Sequence, residues 1–289
     1  MKLVNFSQAD RPGVAVSDET GRLHGFLEGQ AGYPGSIGSL LASGANLSAV
    51  GQTLRGALVV DQAAIVFRPP VDAPSKILCV GLNYRAHSAE TGLGAPDYPA
   101  IFARFANTLV GAGQPIVRPT LSGQLDYEGE LVAVIGRRCH GVSKADAPGY
   151  IAGYSIFNDA SIRDYQMKTS QWTMGKNFDA TGAFGPWLVT PDELPAGADG
   201  LRITTRLNGD VMQDGNTSDM VFKVADLVSM LSAVMTLEPG DLIVTGTPSG
   251  VGYSRKPPVF MKPGDTVSVE IEKIGVLTNP VAGADTATA

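Results

Sequence analysis

The chain of 289 residues has few cysteines, few charged side chains and no long apolar run. Its two cysteines, Cys79 and Cys139, are far apart in sequence and their spacing does not suggest a zinc site, so we expect buried, reduced thiols in a cytoplasmic protein. No apolar run approaches the roughly 20 residues that a membrane helix needs. The N-terminal residues lack the long apolar region of a signal peptide, and we expect no membrane partner.

Charge is sparse and slightly acidic. Charged residues make up 17% of the chain and the net charge is −6, whereas about 25% of the residues are charged in an average domain. Because there is no basic run, we do not expect the chain to bind nucleic acid. A compact chain with so little charge hides part of its surface in an interface, which predicts a homo-oligomer.

Glycine and proline are abundant, with 35 and 19 residues respectively, which favours turns and short strands over long helices. A proline-rich segment at residues 67–74 marks a boundary. We therefore predict a small N-terminal α/β domain at residues 1–70 and a larger domain at residues 71–283. The small and polar residues 284–289 are predicted to form a disordered tail.

The hydrophobic pattern predicts an α+β fold that is mostly β. Residues 36–54 predict one or two short helices interrupted near Gly44, and residues 224–237 carry the clearest helical period. Short apolar runs between turn residues predict strands. The predicted strands are residues 3–6, 13–16, 22–27, 76–81, 100–104, 115–118, 130–136, 150–157, 184–189, 202–207, 241–245 and 266–271.

Asp126, Glu128 and Glu130 lead into the apolar run at residues 131–136. Side chains two positions apart on a strand share a face, so these three carboxylates are expected to point the same way. Like charges repel, and burying them unpaired is costly. Mg²⁺ or Mn²⁺ would resolve the conflict, because both prefer carboxylate oxygens. The alternative is a solvated strand end with ordinary surface acids, and this segment alone does not choose between the two.

His87 and Glu90 lie three positions apart and are neighbours if the segment is helical. A carboxylate beside an imidazole raises the basicity of the ring and fixes its orientation, which suits a general base. The alternative is a surface ion pair that contributes about 0–1 kcal/mol. The other two histidines, His24 and His140, have no comparable partner in sequence.

Asp159 follows the predicted strand at residues 150–157 and would supply a third oxygen ligand. If a helix begins at Ser161, Arg163 and Gln166 share a face of it. Arginine binds carboxylates with two N–H groups and glutamine hydrogen-bonds carbonyls. The alternative is an ordinary helix N-cap with surface ion pairs.

Lys176 stands in a polar segment between aromatic residues, and Thr247 stands in a glycine-rich turn at residues 245–252. The lysine is either an oxyanion-stabilising group in a cleft or an exposed loop lysine with a buried stem. No Gly-Lys-Ser/Thr follows the glycine-rich turn, which argues against a phosphate-binding P-loop. Its backbone N–H groups and Thr247 either hold a substrate carboxylate or belong to a tight loop.

The order of these motifs along the chain resembles that of the fumarylacetoacetate hydrolase superfamily. The resemblance covers about residues 76–280, and the N-terminal ~70 residues are similar to the small extra domain of many bacterial members. The motifs that carry the resemblance are Asn83-Tyr84-Arg85-x-His87-x-x-Glu90, Glu128-x-Glu130, Asn158-Asp159-x-Ser161-x-Arg163-Asp164-x-Gln166, Gly175-Lys176-Asn177-Phe178-Asp179, Leu207-Asn208-Gly209 and Thr245-Gly246-Thr247-Pro248-x-Gly250-Val251-Gly252.

The resemblance implies a fold and a set of roles. The large domain would be a mixed β-sheet roll or sandwich, usually dimeric, and Asp126 receives no assured role. The implied roles are ligation of Mg²⁺ or Mn²⁺ by Glu128, Glu130 and Asp159, catalysis by Lys176 beside the metal and by a His87–Glu90 dyad on a lid segment, and substrate contacts by Arg163, Gln166 and Thr247.

The activity that the resemblance implies is metal-dependent hydrolysis of a C–C bond in an acylpyruvate or another β-diketo acid, such as fumarylpyruvate, through a metal-bound enolate. His87, oriented by Glu90, would deprotonate the attacking water, and Lys176 would stabilise the developing charge. The alternatives are oxaloacetate decarboxylation or tautomerisation, isomerisation or decarboxylation of a product of aromatic ring cleavage, and a non-catalytic binding protein. Residues 88–99 and 167–174 are expected to shape the acyl-group site.

Overall fold

The computed structural model describes residues 1–90 and 97–284. The predicted disordered tail lies outside the described residues apart from residue 284, and so do residues 91–96 of the segment expected to shape the acyl-group site. Within the described residues, no helix is both long and apolar enough to span a membrane. The cytoplasmic location stays a prediction.

The described chain consists of short helices and many strands. The helices are α1 (Ile37–Ala42), α2 (Leu47–Arg55), α3 (Arg85–Glu90), α4 (Arg163–Gln166), α5 (Thr173–Lys176) and α6 (Val224–Val234). The first strands are β1 (Lys2–Gln8), β2 (Arg11–Ser17), β3 (Leu23–Leu27), β4 (Val59–Val60), β5 (Val66–Arg68), β6 (Ile77–Gly81), β7 (Ala100–Arg104), β8 (Leu109–Val110), β9 (Ile116–Arg118) and β10 (Leu125–Asp126). The others are β11 (Gly129–Ile135), β12 (Ile151–Asp159), β13 (Ser161–Ile162), β14 (Gly182–Val189), β15 (Arg202–Leu207), β16 (Asp210–Asn216), β17 (Leu242–Val244), β18 (Thr266–Ile271) and β19 (Gly275–Gly283).

Most strands form one large mixed sheet. Its order is β4-β3-β2-β1-β14-β12-β11-β17-β6-β7, with β5 beside β1 and β8 beside β14. Most neighbours are antiparallel, whereas β17 runs parallel to β6 and β8 runs parallel to β14. A second sheet in the order β16-β15-β18-β19-β9 packs against the large sheet, and β10 and β13 form a separate ladder. These mixed sheets confirm the predicted fold class, which was α+β and mostly β.

Strand β11 is buried on both faces, which explains its continuous apolar sequence. Leu131, Ala133 and Ile135 pack in the core between the two sheets. Val132 and Val134 alternate with them and pack on the opposite face, with side chains of β1, β2 and α1. The strand that begins beside the predicted metal-binding carboxylates is therefore held between two cores.

The N-terminal residues continue the large sheet instead of forming a sheet of their own. β1 pairs with β14 through Lys2–Val189 and Leu3–Leu188. Helix α1 ends and helix α2 begins on either side of Gly44, which confirms the predicted interruption. The domain boundary near residue 70 stays a prediction, because the large sheet includes strands from both sides of it.

Every predicted strand is present, with ends that lie within two residues of the prediction. The predicted helix at residues 224–237 ends earlier, because Met235 has an extended backbone and Leu237 pairs with Cys139. Two long strands, β16 and β19, were not predicted, and neither were the short strands β4, β5, β8, β10 and β13. β16 is largely polar, and β19 contains Pro280, a residue that argues against a strand.

Candidate active site

Three carboxylates come together where the chain enters β11 and leaves β12. Gly129 pairs with Asn158 in the antiparallel β11–β12 ladder, and the Asp159 amide donates to the Glu128 carbonyl over 2.9 Å. Carboxylate oxygens of Glu128, Glu130 and Asp159 therefore lie within 4.8 Å of one another. All three residues are buried, which excludes the solvated strand end. We call this group the acidic cluster.

Asp126 was expected to point the same way as Glu128 and Glu130, but it does not belong to the acidic cluster, in which Asp159 is the third carboxylate. Regular strand alternation is interrupted between β10 and β11. The Asp126 carboxylate accepts hydrogen bonds from the amides of Gly252 (2.8 Å) and Tyr253 (2.9 Å). It also lies 2.8 Å from Arg163 Nη2. Asp126 thus holds an arginine that contacts the acidic cluster.

Three buried cationic side chains surround the acidic cluster. Lys176 Nζ lies 2.6 Å from both Glu128 Oε2 and Asp159 Oδ2, so it is not an exposed loop lysine. Arg163 Nη2 lies 2.7 Å from Glu128 Oε1, and Arg104 Nη1 pairs with Asp159 Oδ1. Arg104 was not predicted, although an arginine at the end of an apolar strand is a signal for a buried partner.

A glycine allows the short helices α4 and α5 to approach each other closely enough to place Lys176. A Cβ atom on Gly175 would lie 2.3 Å from the Gln166 amide nitrogen, whereas real Cβ contacts are essentially never shorter than 3.0 Å. Gln166 ends α4 and Lys176 ends α5. Any larger residue at position 175 would separate the two helices and move the lysine.

Neighbouring groups of opposite charge keep both Glu128 and Lys176 in their charged forms. Burial alone would raise the pKa of Glu128, but Arg163 and Lys176 outweigh it and lower that pKa to about 2. Burial opposes the charged form of Lys176, but Asp159 and Glu128 raise its pKa above the usual value. Glu128 is therefore a carboxylate and Lys176 an ammonium at neutral pH.

Glu130 is the member of the acidic cluster that lacks a matching charge. Within residues 1–90 and 97–284, no cationic side chain forms an ion pair with it, and its Oε2 accepts a hydrogen bond from the Gly246 amide. Burial, together with repulsion from Asp159 and Glu128, raises the pKa of the Glu130 carboxyl well above its usual value. Three buried carboxylates with one uncompensated charge fit a divalent cation, since Mg²⁺ and Mn²⁺ prefer such oxygen donors.

The acidic cluster opens onto a cleft of about 410 Å³. Every predicted site residue lines this cleft except Asp159, which is fully buried beside Lys176. The rest of the lining is mostly apolar or aromatic, and it consists of Val80, Gly81, Leu82, Phe102, Met167, Trp172, Val251, Tyr253 and the polar Ser254. The cleft therefore combines a charged side with an apolar side, and Met167 and Trp172 of that apolar side belong to the segment 167–174 that was expected to shape the acyl-group site.

His87 and Glu90 lie on α3 and face the same cleft. His87 Nδ1 is 3.4 Å from Glu90 Oε2, and that oxygen also accepts a hydrogen bond from the Gly250 amide over 2.9 Å. Burial raises the pKa of Glu90, but hydrogen bonds from His87 and Gly250 lower it below the usual value. His87 is only 7% exposed, whereas Glu90 is an exposed residue.

Gln166 and Thr247 also line the cleft, but their polar atoms are engaged differently. Arg163 Nη1 donates to Gln166 Oε1 over 2.8 Å, which leaves the amide nitrogen of Gln166 to donate to a substrate. Thr247 Oγ1 donates to the Gly129 carbonyl over 2.9 Å and accepts from Gln213 Nε2 over 2.8 Å. The Thr247 hydroxyl is thus used within the fold, and its substrate contact stays a prediction.

Known proteins resemble this chain along almost its whole length. The family model for the fumarylacetoacetate (FAA) hydrolase C-terminal region matches residues 76–282. The oxaloacetate tautomerase FAHD2A, mitochondrial, of Homo sapiens is 41% identical over 288 residues, covering 97% of this chain and 91% of that protein. The fumarylacetoacetate hydrolase structure from psychrophilic Exiguobacterium antarcticum has a TM-score of 0.85 and 34% identity, covering 98% of this chain and 99% of that one. The 5-carboxymethyl-2-hydroxymuconate delta-isomerase structure from Mycobacterium smegmatis has a TM-score of 0.77 and 35% identity, with the same coverage of 98% and 99%.

Proposed function

The chain belongs to the fumarylacetoacetate hydrolase family, and from this premise we propose that it is a metal-dependent enzyme that interconverts the keto and enol forms of oxaloacetate. One observation carries the proposal: the His87–Glu90 pair lines the same cleft as Glu128 and Glu130. A relative that covers 97% of the chain is named oxaloacetate tautomerase. This support favours one of the alternatives considered from the sequence over C–C bond hydrolysis.

The acidic cluster would hold Mg²⁺ or Mn²⁺, and the bound cation supplies Lewis-acid polarisation of the 2-oxo carbonyl. The surrounding side chains position the substrate and stabilise its charge. Lys176 uses two of its three N–H groups on Glu128 and Asp159, and the third can donate to the oxygen that becomes negative. The Gln166 amide nitrogen would orient a carbonyl or carboxylate oxygen of the substrate.

Tautomerisation moves one proton between C3 and the oxygen on C2. Glu90 engages Nδ1 of His87, so Nε2 accepts the C3 proton while the C–H electron pair becomes the C2=C3 double bond. The carbonyl π pair moves to the oxygen, which takes the proton from the imidazolium. Glu90 holds the ring in place and stabilises the imidazolium that forms in between.

Hydrolysis of an acylpyruvate is the second candidate. The similarity of the whole chain to the fumarylacetoacetate hydrolase of Exiguobacterium antarcticum favours it. In that reaction the His87–Glu90 pair would take a proton from a water molecule, and the water would attack the distal carbonyl carbon. The bond between that carbon and C3 would then break, its electron pair would pass to the pyruvate enolate, and the imidazolium of His87 would return the proton to C3. Tautomerisation needs neither the attacking water nor its placement, so it makes fewer demands on the site.

The test follows three reactions of the purified protein side by side, with Mg²⁺ and with EDTA. They are enol–keto conversion of oxaloacetate, pyruvate release from oxaloacetate and pyruvate release from fumarylpyruvate. We expect EDTA-sensitive enol–keto conversion without comparable pyruvate release. Pyruvate released chiefly from fumarylpyruvate would replace the tautomerase by the hydrolase, and pyruvate released chiefly from oxaloacetate would replace it by a decarboxylase.

The base is tested by His87→Ala, which should lower the conversion rate by at least about 100-fold. His140 is exposed and does not line the cleft, so His140→Ala is the matched control and should leave the rate unchanged. A near-normal rate in His87→Ala would mean that another group carries the proton.

A further inference from the structure

The apolar side of the cleft takes no part in the proposed proton transfer. Both cationic residues that line the cleft, Arg163 and Lys176, are already paired with carboxylates. Trp172 and Phe102 stand among the apolar lining residues. The part of a substrate that extends beyond its 2-oxo acid group therefore meets an aromatic surface instead of a free positive charge.

The ring of Phe102 lies between Trp172 and the charged side of the cleft. Its ring centroid lies 5.6 Å from that of Phe102, with an interplanar angle of 68°, which is an edge-to-face contact. The Phe102 ring in turn lies 4.9 Å from Lys176 Nζ, the ammonium that bridges Glu128 and Asp159. A group bound against the indole would thus lie near the proposed metal-binding carboxylates, with the Phe102 ring and the Lys176 ammonium between them.

A glycine under the indole makes this position possible. A Cβ atom on Gly81 would lie 2.2 Å from Trp172 Cζ3 and 2.8 Å from Cη2, both shorter than the 3.0 Å that real Cβ contacts respect. The φ angle of Gly81 is outside the left-handed region, so the glycine is needed for space and not for backbone conformation. Since Gly81 and Trp172 both line the cleft, a side chain at position 81 would displace the indole from its present place in the cleft wall.

We propose that Gly81 and Trp172 together form a specificity wall that accepts a flat, apolar or unsaturated substituent on C3 of a 2-oxo acid. This inference rests on the proposed function, because the 2-oxo acid group is taken to bind at the acidic cluster. Oxaloacetate, with a carboxylate on C3, is then a small substrate that leaves the aromatic surface unfilled. An aryl or unsaturated substituent on C3 would lie against it.

The test compares pyruvate with phenylpyruvate, which differ by one phenyl group on C3. The protein has two tryptophans, Trp172 and Trp187, and Trp187 does not line the cleft. The variant Trp187→Phe therefore reports binding through the fluorescence of Trp172 alone, and calorimetry gives the same dissociation constants without a fluorophore. All titrations are made with Mg²⁺, and they need no turnover.

We expect phenylpyruvate to bind about tenfold more tightly than pyruvate, the factor that an aromatic contact of about 1.4 kcal/mol gives. Gly81→Ala should remove this preference and leave pyruvate binding within about twofold. Trp172→Ala should remove it as well, and Gly81→Ala added to Trp172→Ala should have no further effect, because the clash no longer exists. The thermal unfolding temperature of each variant checks that it is folded, and if Gly81→Ala fails to fold, Trp172→Ala carries the test.

Several results would overturn the inference. Equal affinity of the parent protein for the two ligands would refute the role of Gly81 and Trp172 as a specificity wall, but it would leave the proposed function intact. An unchanged preference in Trp172→Ala, or equal losses for both ligands in Gly81→Ala, would do the same. Failure of both ligands to bind, with Mg²⁺ present, would refute the 2-oxo acid site itself and the proposed function with it.

Discussion

Two substitutions of the same kind in the acidic cluster should change the stability of the metal-free protein in opposite directions. Glu130→Gln removes a buried carboxylate that no cationic side chain of the described chain pairs with. Glu128→Gln removes the shared partner of Arg163 and Lys176. We therefore expect the first variant to be more stable than the parent protein in EDTA, and the second to be less stable.

The magnitudes follow from the distances. Two carboxylates at most 4.8 Å apart repel each other by at least about 3 kcal/mol at an effective dielectric constant of about 20. Partial protonation of Glu130 relieves part of this repulsion, so we expect Glu130→Gln to gain about 1–3 kcal/mol, or about 2–6 °C in Tm. Glu128→Gln removes a carboxylate partner from both Arg163 and Lys176, and breaking a buried ion pair typically costs about 3–5 kcal/mol.

The gain from Glu130→Gln should depend on pH. The pKa of Glu130 is raised in the folded protein, from an ordinary value of 4.5, by burial and by its acidic neighbours. Below about pH 4.5 the carboxyl is protonated in both the folded and the unfolded protein, so it does not lower the free energy of unfolding. As the pH rises from about 4.5 through the raised pKa of the folded protein, the unfolded protein loses the proton first and the free energy of unfolding falls. The advantage of Glu130→Gln should therefore vanish near pH 4 and grow toward pH 8.

The assay is thermal unfolding followed by circular dichroism, in EDTA and in saturating Mg²⁺. The parent protein should gain Tm with the metal, because a ligand that binds only the folded state stabilises it. Both variants should lose most of that gain. If Glu130→Gln had a lower Tm than the parent in EDTA, as Glu128→Gln should, the reasoning that Glu130 carries an uncompensated charge would be refuted.

Three further predictions concern the surroundings of the site and the assembly. Arg104→Leu should destabilise the metal-free protein by about 3–5 kcal/mol in urea unfolding, because it breaks a fully buried ion pair and leaves Asp159 with Lys176 as its remaining cationic partner. Arg202→Leu breaks an exposed pair and should cost about 1 kcal/mol or less, and equal costs for the two variants would contradict this. Gly175→Ala should reduce turnover strongly by separating α4 from α5, whereas Gly38→Ala, whose new Cβ meets only ordinary contacts, should leave turnover unchanged. Light scattering at micromolar concentration should give a homodimer, and a mass near the 30.1 kDa of one chain would contradict it.

The sequence predicted the strands well because most of them are buried on at least one face. Apolar runs such as residues 131–136 have no competing interpretation once they are bounded by turn residues. The grouping of Glu128 and Glu130 also followed from strand alternation, since both side chains belong to one face. Asp126 lies outside the acidic cluster. The ladder changes partner between β10 and β11, and a change of partner leaves no mark in the spacing of the carboxylates.

The parts of the site that the sequence did not predict depend on contacts between distant positions. Arg104 meets Asp159 across 55 residues, and Trp172 meets Gly81 although one follows a loop and the other ends a strand. Neither pair has a spacing that a periodic pattern could reveal. The family resemblance supplied most of the charged residues that line the cleft, but it did not supply Gly81, which leaves the space that the Trp172 ring occupies.

The pairing of β1 with β14 has a consequence for how this chain could be divided. Residues of β1, β2 and α1 pack in the same core as Val132 and Val134 of β11, and the other face of that strand belongs to the core between the sheets. Removing the N-terminal 70 residues would uncover the back of β11 and leave part of β14 without its neighbouring strand. Exposed strand edges and bare apolar faces promote aggregation. A fragment that begins at residue 76 would retain every residue of the site and lose the packing that holds their strand in place.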